Sequence, residues 1–180
     1  MPCVITSGRG LGCKSFVGGI SKVYFADFGT LGAITIVDNE ITVFGGSSAT
    51  APFEWYEFDV IDNTALEETT TVDKLAGTKF TTQALTMGLI GQDKDTQAQL
   101  DLIGSGSPHV IIADNSGTYR LIGKIRGTTM TTSVATTGAL LGDAVGYILT
   151  LTADEKNQAD YVAFAAFSGE IEVTKIDPTP

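Results

Sequence analysis

The chain has 180 residues, 43% of them apolar, and a formal net charge of −10. That is enough for one domain with a real core, while the charge disfavours phosphate-gripping nucleic-acid binders and proteins that sit on anionic membranes, both of which need clustered Lys and Arg. No stretch of about 18 uninterrupted apolar residues predicts a membrane-crossing helix, and Met1 to Arg9 lack the basic start and apolar block of a signal peptide.

Residues 1–19 are rich in glycine (Gly8, Gly10, Gly12, Gly18, Gly19) and read as an extended N-terminal arm. They also hold Cys3 and Cys13. Without a secretion signal, free thiols are expected rather than a disulfide, and a chain with no other Cys and a single His offers no zinc set. A β-rich domain is expected over 20–170, and a C-terminal arm over 171–180.

Strands begin with the aromatic, β-branched stretch Lys22 to Phe28. Ala33–Val37 and Glu40–Phe44 alternate apolar with polar residues around Asp38-Asn39, which predicts a hairpin with a two-residue turn. A loop of small residues from Gly45 to Pro52 leads to a strand over Glu54–Val60. Leu66–Asp73 and Lys79–Ile90 are rich in Thr, whose branched Cβ suits strands, and predict a long projecting hairpin. The pattern breaks at Asp93–Ile103, where Thr96, Leu100 and Ile103 fall at helical spacing. Asp93 suits the N-cap and Gly104 the C-terminal stop. Val110–Asp114 and Thr118–Gly123 flank Asn115-Ser-Gly117 as a second hairpin. A strand near Thr128–Val134, a small-residue loop over 135–145 and a strand over Gly146–Thr152 follow. Ile171–Ile176 reads as a last short strand or arm. The expected fold class is mainly β: a sandwich or barrel-like sheet with one flanking helix and terminal arms.

Little in this order points to catalysis. His109 follows Pro108, opens an apolar strand and has no nucleophile elbow beside it; Gly104-Ser-Gly-Ser-Pro108 follows a helix, not a strand. Gly8-Arg-Gly-Leu-Gly12 has the wrong spacing for a dinucleotide loop. Asp93, Asp95, Asp114 and Asn115 lack the remaining ligands of a calcium loop and read as caps and turns. No enzyme activity, cofactor or metal is expected. Charge is the stronger signal. Between Lys22 and Lys74 no Lys or Arg occurs, while Asp27, Asp38, Glu40, Glu54, Glu57, Asp59, Asp62, Glu67, Glu68 and Asp73 do. Arg120, Lys124 and Arg126 form a basic cluster later in the chain. An acidic half and a basic patch suit head-to-tail association between copies.

Three segments carry a resemblance. Cys13-Lys-Ser-Phe-Val-Gly-Gly-Ile-Ser-Lys-Val-Tyr-Phe-Ala-Asp-Phe28 resembles the opening of tail tube (major tail) proteins of tailed bacteriophages. Val110-Ile-Ile-Ala-Asp-Asn-Ser-Gly-Thr-Tyr-Arg-Leu-Ile-Gly123 and Gly142-Asp-Ala-Val-Gly-Tyr-Ile-Leu-Thr-Leu-Thr152 are similar to later strands of that family. The ordered set of Thr-rich hairpin, short helix and hairpin covers most of the chain. The resemblance implies a ring, expected to be hexameric, whose inner strands close into one barrel, and rings that stack into a tube conducting DNA. It implies partners: further copies of the chain, other tail proteins such as terminator, baseplate or sheath, and DNA passing without adhesion, but no membrane. It also implies a place in the virion tail after assembly in the host cytoplasm. An acidic lumen would repel phosphates, so candidate lumen residues are Glu54, Glu57, Asp59, Glu67, Glu68 and Asp73. Arg120, Lys124 and Arg126 are the candidate inter-subunit patch. A tail terminator or connector ring protein and a capsid decoration or head-fibre protein are the alternatives.

Overall fold

The computed structural model describes residues 7–10, 17–45, 54–61, 63–168, 171–172 and 175–176. Cys3, Cys13, Asp62, most of the expected N-terminal arm, the small-residue loop after Gly45 and most of the C-terminal arm lie outside the described residues.

Over the described residues the chain is mainly β, with one α-helix, and its strands form two sheets. The strands are β1 (Ile20–Ala26), β2 (Ile34–Val37), β3 (Glu40–Phe44), β4 (Trp55–Asp59), β5 (Ala65–Asp73), β6 (Thr78–Ile90), β7 (His109–Asp114), β8 (Tyr119–Ile122), β9 (Thr129–Thr136), β10 (Gly146–Glu155), β11 (Asp160–Val162) and β12 (Ile171–Glu172). The large sheet is eight-stranded, in the order β12-β4-β1-β7-β8-β11-β3-β2; the small sheet is four-stranded, in the order β5-β6-β10-β9.

The central strands of the large sheet are apolar on both faces, as burial on both sides demands. Val23 and Phe25 of β1, with Val110 and Ile112 of β7, pack against Leu85 and Met87 of β6 and Leu149 and Leu151 of β10. This is the core between the two sheets. The opposite face carries Tyr24, Ala26, Ile111, Ala113 and Leu121 and builds a second core with Ile41, Phe44, Trp55 and Phe167. Phe44 and Trp55 stand near opposite ends of the strand order, yet their rings lie 5.9 Å apart. The large sheet therefore curls around its own core. It is not a closed barrel: β2 and β12, the end strands, each have one partner among the described residues. Phe167 plugs the curl, with its ring 5.3 Å from Tyr24 and 5.9 Å from Trp55.

The expected hairpin over 33–44 is present, and its turn residues Asp38 and Asn39 take φ of 52° and 66°. Short polar side chains tolerate that left-handed region better than others do. The helix α1 (Lys94–Ser105) starts where expected: Asp93 caps it, accepting the N–H groups of Asp95 at 2.9 Å and Thr96 at 2.8 Å. It ends later than expected. Gly104 lies inside the helix, and the Gly106 N–H closes it on the Leu102 carbonyl at 3.0 Å.

A loop over 123–127 ties the sheets together with buried polar groups, each satisfied. The Gly123 N–H donates to Gln83 Oε1 at 3.0 Å, and the N–H groups of Ile125 and Arg126 donate to Glu155 Oε1 at 2.7 and 3.0 Å. His109 is buried beside this loop. Its Nε2 accepts the Gly29 N–H at 3.0 Å, so Nδ1 carries the proton and donates to the Gly123 carbonyl at 2.7 Å. Burial holds this imidazole below its ordinary pKa, against the hydrogen bond to Gly123 and the charge of Glu155. Both ring nitrogens are occupied by the fold.

Candidate assembly surfaces

The small sheet turns one face to the large sheet and the other to water. Leu66, Leu85, Met87, Leu149, Leu151 and Met130 point into the core. Alternation then sends their neighbours outward: Glu67, Thr69 and Thr71 on β5, Thr82, Ala84 and Thr86 on β6, Ile148, Thr150, Thr152 and Asp154 on β10, and Thr132 and Val134 on β9. Thr82 Oγ1 donates to Asp154 Oδ1 at 2.6 Å, which confirms that these two share the outer face. The middle of that face is threonine with two carboxylates, Glu67 and Asp154, and no Lys or Arg.

The acidic residues singled out in the sequence are split between the two sheets. Glu54, Glu57 and Asp59 belong to β4 and its flank, in the large sheet. Glu57 Oε1 lies 2.7 Å from Lys22 Nζ and 2.5 Å from Lys175 Nζ, and Asp59 lies 2.7 Å from Lys175. Burial alone would raise the Glu57 pKa. Hydrogen bonds from Lys175, Lys22 and Tyr24 outweigh it and hold the carboxyl at about 2. Glu57 is a fixed anion there, with no proton to exchange near neutral pH. Glu54 accepts the Tyr56 hydroxyl at 3.1 Å. Asp73 caps the β5–β6 turn, accepting the N–H groups of Leu75 and Ala76.

Glu67 and Glu68 face opposite ways. Glu67 stands in water on the outer face, while Glu68 shares the inner face with Leu66 and accepts the Ala159 N–H at 2.6 Å. Of the expected lumen set, Glu67 alone therefore lies within the outer face of the small sheet, with Asp73 at its rim. Glu57, Asp59 and Glu68 are occupied by partners in their own chain.

Two of the three basic residues singled out in the sequence likewise have partners within the chain. Arg120 Nη1 lies 3.7 Å from Glu68 Oε2, and its guanidinium sits 5.4 Å above the Tyr161 ring. Lys124 pairs with Asp160. Only Arg126 of the three forms no ion pair among the described residues. Asp154 was missed in the sequence, although its alternation with Leu149, Leu151 and Ala153 was there to read.

The edges of the two sheets differ. The large sheet ends in β2, four residues with a register shift, and β12, two residues. Short and bulged edges are how natural sheets avoid pairing with strangers. The small sheet ends in β5, nine residues, and β9, eight residues. Neither contains Lys, Arg or Pro, β9 carries no charge at all, and only one irregularity interrupts β9, between Met130 and Thr132.

Among the described residues no group of His, Cys, Asp and Glu is placed to hold a metal ion, and no helix is long and apolar enough to cross a membrane. No protein-family model, curated protein or solved structure matches the chain.

Proposed function

We propose that this chain is a structural subunit of a phage tail tube, closing sideways into rings by pairing β5 of one copy with β9 of the next. The observation that carries this reading is the contrast between edges. The large sheet ends in short strands, whereas the small sheet ends in two long strands, β5 and β9, that each pair with a single strand among the described residues and carry no Lys, Arg or Pro. Two different edges pair heterologously, and heterologous pairing closes a ring when the rotation allows it. A closed ring removes both edges.

In that ring the threonine face lines the lumen. It offers threonine hydroxyls, Glu67 and Asp154 to a passing duplex, with the apolar pair Ile148 and Val134 towards one end, and no cation for phosphates to grip. DNA that releases no counterions gains no affinity and slides. The resemblance of the opening and hairpin segments to tail tube proteins supports the same reading, as does the mainly β, two-sheet architecture with one helix.

The test is a charge placed on the free edge. Thr132→Glu with Val134→Glu adds carboxylates to exposed positions of β9, opposite the acidic β5 of a neighbour. Like charges across a strand pair are destabilising. Monomer stability stays within about 0.5 kcal/mol of the parent, while sedimentation velocity shows rings lost. Rings of unchanged size would sink the β5–β9 pairing. Discrete trimers from the parent chain, with no stacked species, would favour a capsid decoration protein instead.

A further inference from the structure

The small sheet has a polar middle and two apolar ends. At one end the β5–β6 hairpin outruns the sheet. The last β10 pair is Glu155 with Thr81, so Phe80, Lys79 and Thr78 of β6 continue with β5 alone. That carries the tip about 10 Å past the body of the sheet. There Asp73 Oδ1 accepts the N–H groups of Leu75 at 2.8 Å and Ala76 at 3.0 Å, and Gly77 takes φ of 66°. The turn so fixed holds Leu75 fully in water, at 101% relative exposure.

The opposite end repeats the device. In the loop 137–145, Asp143 Oδ2 accepts the N–H groups of Ala139 at 2.7 Å and Leu140 at 2.8 Å. Leu141 is 110% exposed and Leu140 77%. Ile90 extends this patch onto the sheet, since it pairs with Gly146 and the next residue, Gly91, donates to the Val145 carbonyl at 2.9 Å.

Charge differs between the ends in the complementary sense. The tip carries Lys74 and Lys79, which form no ion pair among the described residues, against a single Asp73. The far end carries Asp143, and Asp93 and Asp95 flank it at the start of α1, against a single Lys94. Gln92 fastens that start to the loop's base, donating to the Thr136 and Gly146 carbonyls.

We infer that the hairpin tip of one copy seats Leu75 against Leu140 and Leu141 of a second copy displaced along the strand direction. The occupant is this same chain because the two apolar patches lie at opposite ends of one sheet and carry opposite charge excess. A displacement along the strands brings one patch to the other. Such a contact is head-to-tail and open-ended, so it propagates rather than closes. It rests on the ring reading above: lateral pairing consumes the sheet's edges and leaves its two ends to face neighbouring rings.

The test uses the full chain with Cys3→Ser and Cys13→Ser, so that no native thiol remains. Leu75→Cys and Leu141→Cys proteins are assembled as a mixture, oxidised gently and run on a non-reducing gel. A mixed disulfide-linked pair is expected, at yields well above either protein alone; 75-to-75 or 141-to-141 links instead would overturn the head-to-tail contact. In parallel, Leu75→Asp and Leu141→Asp are each imaged by negative-stain microscopy. Both side chains are in water in the single chain, so folding is unchanged. Rings are expected to persist while stacking weakens about tenfold or more for each leucine removed. Tubes of normal length in both variants would overturn the contact and leave the ring reading standing. A parent chain that never forms rings would overturn both.

Discussion

Glu57 lies between two lysine side chains, and its carboxyl is depressed from 4.5 to about 2. A folded-state pKa below the unfolded one means that this group stabilises the fold fully above about pH 4.5. That contribution is lost as the pH falls from there towards 2. Glu57→Gln removes it: a cost of about 1–3 kcal/mol at pH 7, shrinking as the pH falls below 4.5. Urea unfolding at pH 7, 5 and 3.5 checks this; a variant as acid-sensitive as the parent would contradict it. Two residues of β5 make a sharper pair. Glu67→Lys changes an exposed position and shifts stability by no more than about 0.5 kcal/mol; under the proposed tube function, the cation it puts on the threonine face is expected to slow DNA passage. Glu68→Lys takes the acceptor from Ala159 and sets a second cation beside Arg120; it costs about 1–3 kcal/mol or more. Thermal melts of the two variants, together with a DNA-ejection assay, separate these roles. Equal melting temperatures would show that the two side chains do not differ as described. The strand itself was legible in the sequence, but the difference between these adjacent carboxylates depends on which face meets the core. Leu66, sharing a face with Glu68, was the available clue.

Elements with local causes were readable, and those with distant causes were not. The Asp38-Asn39 hairpin, the β5–β6 hairpin and the Asp93 cap each depend on residues within a few positions, and all three are where the sequence put them. The helix outran its expected stop because the closing hydrogen bond comes from the Gly106 N–H to the Leu102 carbonyl, leaving Gly104 inside the helix. β11 is three residues long and pairs in parallel with β3, more than a hundred residues away in the chain. The single-turn helix Phe164–Ala166 that follows it was equally silent, yet it delivers Phe167 to the centre of the curled sheet. Phe167→Ala is expected to cost about 3–5 kcal/mol, read by urea unfolding. A cost below about 1 kcal/mol would mean that the large sheet does not depend on its plug.

The molecule as a whole combines a net charge of −10 with two long edge strands in the small sheet that carry no Lys, Arg or Pro. Most of the acidic residues expected to define a lumen turn out to anchor Lys22, Lys175, Arg120 or a backbone turn. The character of the proposed channel then rests on what is missing from one face, namely any cation, as much as on Glu67 and Asp154. Self-repulsion between acidic copies falls with added salt as the Debye length shortens to about 8 Å near physiological strength, so the account predicts that ring closure gains from salt, while the charge attraction between the sheet's two ends weakens. The most direct measurement is electron cryomicroscopy of the concentrated protein in physiological salt, at a resolution that traces strands. The account expects rings in which β9 of each copy continues into β5 of its neighbour, with the threonine face lining the hole. Single chains at every concentration, or an assembly in which both edges of the small sheet remain in water, would contradict it.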